Sequence, residues 1–304
     1  VWLIVATNVG GRLSTLVSLA GFFAWMVIMA GYWWVVSPNA YIGDNPSWEI
    51  IDVNVGDLGD SALPEARDLP DREDLIAEFG TPYELVLESG NEVALTEFDT
   101  PADTSGLDPE AAERATEDQQ IRNEQTNLSE IEGVAPEVIA EAGIDFQEWT
   151  LLSAAESGEA QATASAFLLE SELGFETAGD FIFLETFDLG GKPRLPEDPS
   201  RWDRIRHWIT NSLRITHPTH YAVVQVQATV DKEQLPGQPP PVPEADPEAE
   251  VVSVIMVRDL GDRRFPAAMV TIGSLLLCLV LCYVLHIRDK ELMRRRADFE
   301  AGKA

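Results

Sequence analysis

Apolar and polar positions divide the chain into two uncharged runs around a long polar middle. Residues 13–36 (LSTLVSLAGFFAWMVIMAGYWWVV) are 24 positions without Asp, Glu, Lys or Arg, and residues 267–287 (AAMVTIGSLLLCLVLCYVLHI) are 21 more. About 20 residues of helix cross the hydrocarbon core of a bilayer, where each backbone polar group must be satisfied within its own segment. The runs therefore predict two membrane-spanning helices, 13–36 and 266–287, with 1–12 as a segment too short to span. Tyr32, Trp33 and Trp34 close the first run, where aromatic side chains anchor a helix at the membrane–water interface. Arg288, Lys290, Arg294, Arg295 and Arg296 follow the second run and assign the tail 288–304 to the cytoplasm. Two spans with one long connection put both termini in the cytoplasm and residues 37–264 on the outer side of the membrane. The first run lacks a small-residue cleavage pattern and reads as an uncleaved anchor.

Between the spans the periods of two and 3.6 alternate, which predicts an α+β domain. WEIIDVNV at 48–55 has strand composition, as do 180–189, 221–230 and 251–258. The last two are expected to pair, with the Pro-rich segment 231–250 between them extended and exposed. Helices are expected at 71–80 and 135–143, each stopped by Gly, and from Asp108, a capping carboxylate followed by Pro109. Residues 83–87 and 92–98 suggest a hairpin around Ser89, Gly90 and Asn91, and 146–154 fits either strand or helix. Residues 158–173 predict a helix with Ala162, Ala166, Leu169 and Leu173 on its core side. Residues 198–214 predict another, capped by Asp198 with Pro199 at its first position. Its core face would be Trp202, Ile205, Ile209 and Leu213. Residues 99–133 are the most polar stretch and fit a solvated helix or a flexible segment.

Charge sharpens this division. The formal net charge is −31, and 48 acidic against 14 basic residues fall within 37–287. Such a balance argues against nucleic acid and against docking on anionic lipid headgroups, and favours cationic partners, metal ions or plain solubility. Arg201, Arg204, Arg206 and Arg214 make 198–214 the only basic element of the acidic domain. The two cysteines, Cys278 and Cys282, lie in the second run, so 37–264 holds neither a disulfide nor a thiolate metal site.

Candidate chemistry is sparse. There is no G-x-G-x-x-G, P-loop or G-x-S-x-G, and no catalytic or cofactor-binding residue is assigned. His217 and His220, with Pro218 and Thr219 between them, could hold copper or zinc, but spacing marks no third ligand. His286, at the cytoplasmic end of the second run, reaches the interface without a ligand role. The apolar runs carry their own signal. Thr271, Ser274, Cys278 and Cys282 recur at steps of three and four, as do Ser14, Ser18, Gly21 and Trp25. Stripes of small, weakly polar residues let helices approach closely in lipid and predict packing against protein.

The C-terminal third (HPTHYAVVQVQ, PGQPPPVP, VVSVIMVRDLGDRRFPAAM, then a span ending in LHIRDKE) resembles an actinobacterial family of two-span membrane proteins. So do FFAWMVIMAGYWWVV and the segment bearing Gly43, Pro46, Trp48 and Glu49. The resemblance covers roughly 13–60 and 157–296. Members of that family look like accessory partners of the cytochrome bc complex and the haem–copper cytochrome c oxidase. It implies a non-catalytic accessory subunit of a respiratory supercomplex, with integral membrane subunits and lipid as partners and no cofactor of its own. An acidic outer domain could also steer a cationic electron carrier. The alternative is a free-standing, membrane-anchored metal-binding or oxidase assembly factor acting through His217 and His220.

Overall fold

The computed structural model describes residues 2–36, 46–106, 108–193, 195–196, 198–214, 218–230, 232, 241–259, 261 and 264–302. In chain order the elements are helices α1 (Trp2–Val9) and α2 (Gly11–Val35), then strand β1 (Ser47–Val55). Helices α3 (Arg72–Phe79), α4 (Pro82–Ser89), α5 (Glu92–Phe98), α6 (Pro109–Glu124), α7 (Leu128–Val134) and α8 (Pro136–Ala142) follow. Then come β2 (Thr150–Leu151), α9 (Ala154–Glu170), β3 (Phe181–Gly190), α10 (Arg201–Leu213), β4 (His220–Ala228), β5 (Val252–Asp259) and α11 (Phe265–Ala301). The chain divides into two compact units. One combines 1–46, 194–217 and 260–304; the other combines 47–193 and 218–259.

The second unit is mixed α and β. Its five strands form an antiparallel sheet in the order β1-β5-β4-β3-β2. The strands expected at 221–230 and 251–258 do pair, as β4 and β5. Side chains alternate across the sheet, and both faces are covered. Phe187, Val223 and Ile255 face a core built with the helical stretch from Leu58 to Trp149. Ala222, Val224, Val226, Val252, Val254 and Met256 face the other way, against Ala160, Ala164 and Leu168 of α9. A register shift between Phe183 and Thr186 changes the alternation, so Phe181 serves one core and Phe187 the other.

Several sequence expectations are corrected here. The hairpin at 83–98 is instead two short helices. Thr81 and Glu84 form a reciprocal capping box at the start of α4, Gly90 ends it in the left-handed region, and Asn91 caps α5 through the N–H groups of Val93 and Ala94. These caps outweigh the strand propensity of Tyr83, Val86 and Val93. On α9 the buried line is Ser157, Ala160, Ala164 and Leu168, while Ala162, Ala166, Leu169 and Leu173 are exposed. Small residues stand on both sides of this helix, so composition could not choose the face. Helix α10 begins after Ser200, not Asp198: the Ser200 hydroxyl accepts from the Asp203 N–H and the Asp203 carboxylate accepts from the Ser200 N–H. Its expected core face is exposed.

Elsewhere the pattern is legible. Asp108 caps α6 by accepting from the Ala111 N–H, and α6 is a helix with no buried residue. The stretch 146–154 supplies the two-residue strand β2 and the buried Trp149, whose indole donates to the Glu65 carbonyl at 2.9 Å.

Candidate functional site

The first unit holds two helices long and apolar enough to cross a membrane, α2 and α11. They pack on each other, and α1 packs on α2. Along the span of α11 from Thr271 on, the less exposed positions are Thr271, Ser274, Cys278, Leu281 and Leu285, alternating steps of three and four, with Ala267 and Ala268 buried one turn before them. That is the seam expected of two helices crossing at a shallow angle. On α2 the matching line is Leu16, Ala20, Phe23, Val27, Ala30 and Trp34. Two contacts tie the lines together. The Cys278 Sγ donates to the Ala20 carbonyl at 3.8 Å, and Gly31 lies against the Thr271 methyl, which a Cβ there would meet at 3.8 Å. The Thr271 hydroxyl donates to the Ala267 carbonyl at 2.7 Å, so its polar group is satisfied inside its own helix.

The stripes expected from the sequence are distributed over this pair. Thr271 and Ser274 are buried and Cys278 is half-buried in the seam; Cys282, one position past the line through Leu281, is exposed. Ser14 is buried and Ser18 half-buried, whereas Gly21 and Trp25 are exposed. A step of two residues rotates a helix by about 200°, so the line through Ser14, Ser18, Gly21 and Trp25 looks away from the seam through Leu16, Ala20, Phe23 and Val27. Of the anchors, Tyr32 is exposed and Trp33 and Trp34 are half-buried. Arg294, Arg295 and Arg296 are exposed on the continuation of α11, with Arg288 half-buried six residues before Arg294.

In the sheet unit, His220 opens β4. Its Nε2 lies 3.1 Å from Asp188 Oδ2, and its ring packs at 5.1 Å on Trp48. The Arg258 guanidinium stands 4.9 Å over the same indole and pairs with Glu159 at 2.8 Å. The histidine thus belongs to a row of ion-pair and ring contacts running across β3, β4, β5 and β1. His217 lies outside the described residues. Among the described residues, no group of three or more His, Cys, Asp or Glu converges on a common point.

Sequence reading missed Glu185. It is 1% exposed and lies beneath the start of α7. Its carboxylate accepts from the N–H groups of Leu128 and Ser129, both at 2.8 Å, from the Ser129 hydroxyl at 3.1 Å and from Arg72 at 3.0 Å. Nearby, Asp57, Asp71, Glu73, Asp74 and Glu250 line, together with Arg72, a cleft of about 200 Å³. Burial, then the charge of Asp57, raises the Asp71 carboxyl above its ordinary range, against the opposing N–H of Leu58. An acidic cluster of this kind attracts cations in general and selects none.

No family model, no curated protein and no solved structure matches the chain.

Proposed function

We propose that this chain is a non-catalytic accessory subunit of a bacterial respiratory membrane complex, anchored by α2 and α11 and carrying its sheet unit on the outer side of the plasma membrane. The observation that carries this reading is the use of the small-residue lines. One, on α11, is spent on the seam with α2. The other leaves Gly21 and Trp25 exposed on an apolar helix, a surface suited to close packing with helices of another subunit. The resemblance to two-span proteins associated with the bc complex and cytochrome c oxidase names the kind of complex. The basic tail supports cytoplasmic termini. The acidic sheet unit would cover the outer face of core subunits, where its field could draw in a cationic electron carrier, a rate effect weakened by salt.

Purification in mild detergent through a C-terminal tag tests the reading, with an absorption spectrum and mass spectrometry of what accompanies the chain. Haem bands with bc and oxidase subunits in fixed ratio are expected. A colourless, solitary protein would overturn it.

A further inference from the structure

Helix α10 carries an apolar face that the described residues leave largely exposed. At about 100° per residue, Trp202, Ile205, Trp208, Ile209 and Leu213 fall within an arc of roughly 140°. All five are exposed, Trp202 by 78% and Trp208 by 54%. Arg204 and Arg206 stand on the two borders of the arc, and Arg201 lies within it on the first turn. Asp203, Thr210 and His207 occupy the opposite side.

The position of the helix adds a second argument. It belongs to the same compact unit as α2 and α11, not to the sheet unit on either side of it in sequence, and it packs on α2. Arg264 Nη1 donates to the Asn211 carbonyl at 2.6 Å, which holds the last turn of α10 at the entrance of α11. Ser212, within the same arc, is buried. The exposed face is therefore part of the body that also carries the exposed apolar surface of the two long helices.

We propose that α10 lies flat in the outer headgroup region of the bilayer. Trp202, Ile205, Trp208, Ile209 and Leu213 enter the acyl boundary, and Arg201, Arg204 and Arg206 reach the phosphate groups of anionic phospholipid. Two tryptophans in an apolar arc bordered by arginines are the composition of an interfacial helix, since arginine buries its stem and keeps its charge at the headgroups. The inference requires that α2 and α11 span the membrane and is independent of the accessory role.

The test uses the full chain with Cys278→Ala and Cys282→Ala, reconstituted in vesicles of phosphatidylcholine and phosphatidylglycerol. Nitroxide labels are placed singly through Ile205→Cys, Ile209→Cys, Thr210→Cys and, within the span, Leu277→Cys. Labels at 205, 209 and 277 should collide several-fold more with oxygen than with a water-soluble nickel chelate, and the label at 210 should show the reverse. Equal nickel access at 205, 209 and 210 would place α10 in water. Exclusion of both reagents at 205 and 209 would mean that protein, a second copy or another subunit, covers the face. Either result overturns the proposal while an oxygen-preferring label at 277 keeps the membrane reading. Nickel access at 277 would overturn both.

Discussion

Arg72 reaches across 113 positions of sequence to place Nη1 3.0 Å from Oε1 of Glu185, a carboxylate that also receives the first two N–H groups of α7. One buried side chain thus joins the sheet, the first residue of α3 and the start of α7. Deleting one partner of a buried pair leaves the other charge, here with two helix N–H groups, unsatisfied, at a cost of about 3–5 kcal/mol. Glu185→Ala should lower the stability of the full-length protein in detergent by about that much, read by urea unfolding, and Glu185→Gln by less. A cycle with Arg72→Ala should show coupling of about 0.5–3 kcal/mol. A Glu185→Ala protein within about 0.5 kcal/mol of the parent, the range of ordinary surface changes, would remove Glu185 from this role.

Asp71 makes the opposite prediction. A carboxyl whose folded-state pKa stands above its unfolded value opposes folding wherever it is ionised. That cost is complete above the folded pKa and is relieved as pH falls through it towards 3.8. Although Asp71 occupies the cap position of α3, its side chain makes no capping bond, so Asn gives up no cap there, and its amide oxygen can still accept from the Leu58 N–H. Asp71→Asn should stabilise the protein at neutral pH, and the gain should fade in acid as pH approaches the ordinary carboxylate value. Melting curves across that range decide it, and a gain that grew with acidity would contradict the assignment.

What the sequence made legible, and what it hid, follows from range. The long helices, strands β1, β3, β4 and β5, and the caps at Asp108, Gly80 and Gly143 rest on local patterns within one element. The face of α9 did not, because alanines stand on both sides of it and only the sheet selects Ala160 and Ala164. The face of α10 misled for a sharper reason. An amphipathic helix reads the same whether its apolar side meets a protein core or another apolar phase, and Trp202 at 78% exposed shows that no core formed by the described residues takes it. Glu185 had no local mark at all among so many acids; its partners are more than 50 positions away.

Gly190 tests the turn at the end of β3. Its φ is +83°, and a Cβ would stand 2.5 Å from the Thr219 carbonyl oxygen. Gly174 has a φ of +90° with open space around it. A left-handed non-glycine residue costs on the order of 1–3 kcal/mol, so Gly174→Ala measures that strain alone. Gly190→Ala should cost clearly more, because backbone must also move where Gly190 pairs with His220. Equal losses for the two variants would show that the strand ends separate freely.

The seam between α2 and α11 can be fixed chemically. In a Cys282→Ala background, Ala20→Cys puts a thiol beside Cys278, whose Sγ already meets the Ala20 carbonyl at 3.8 Å. A disulfide needs Cα atoms roughly 4.4–6.8 Å apart with converging Cβ vectors, which residues facing each other across a tight seam meet and residues on opposite faces do not. Mild oxidation of Ala20→Cys should give an intramolecular bridge, seen as a faster band on a non-reducing gel. Trp25→Cys in the same background should not, because its face looks away from α11. Should Trp25→Cys bridge to Cys278 while Ala20→Cys stays reduced, the seam would run along Ser14, Ser18, Gly21 and Trp25 instead. The surface left for other subunits would then be the one through Ala20, Val27 and Ala30.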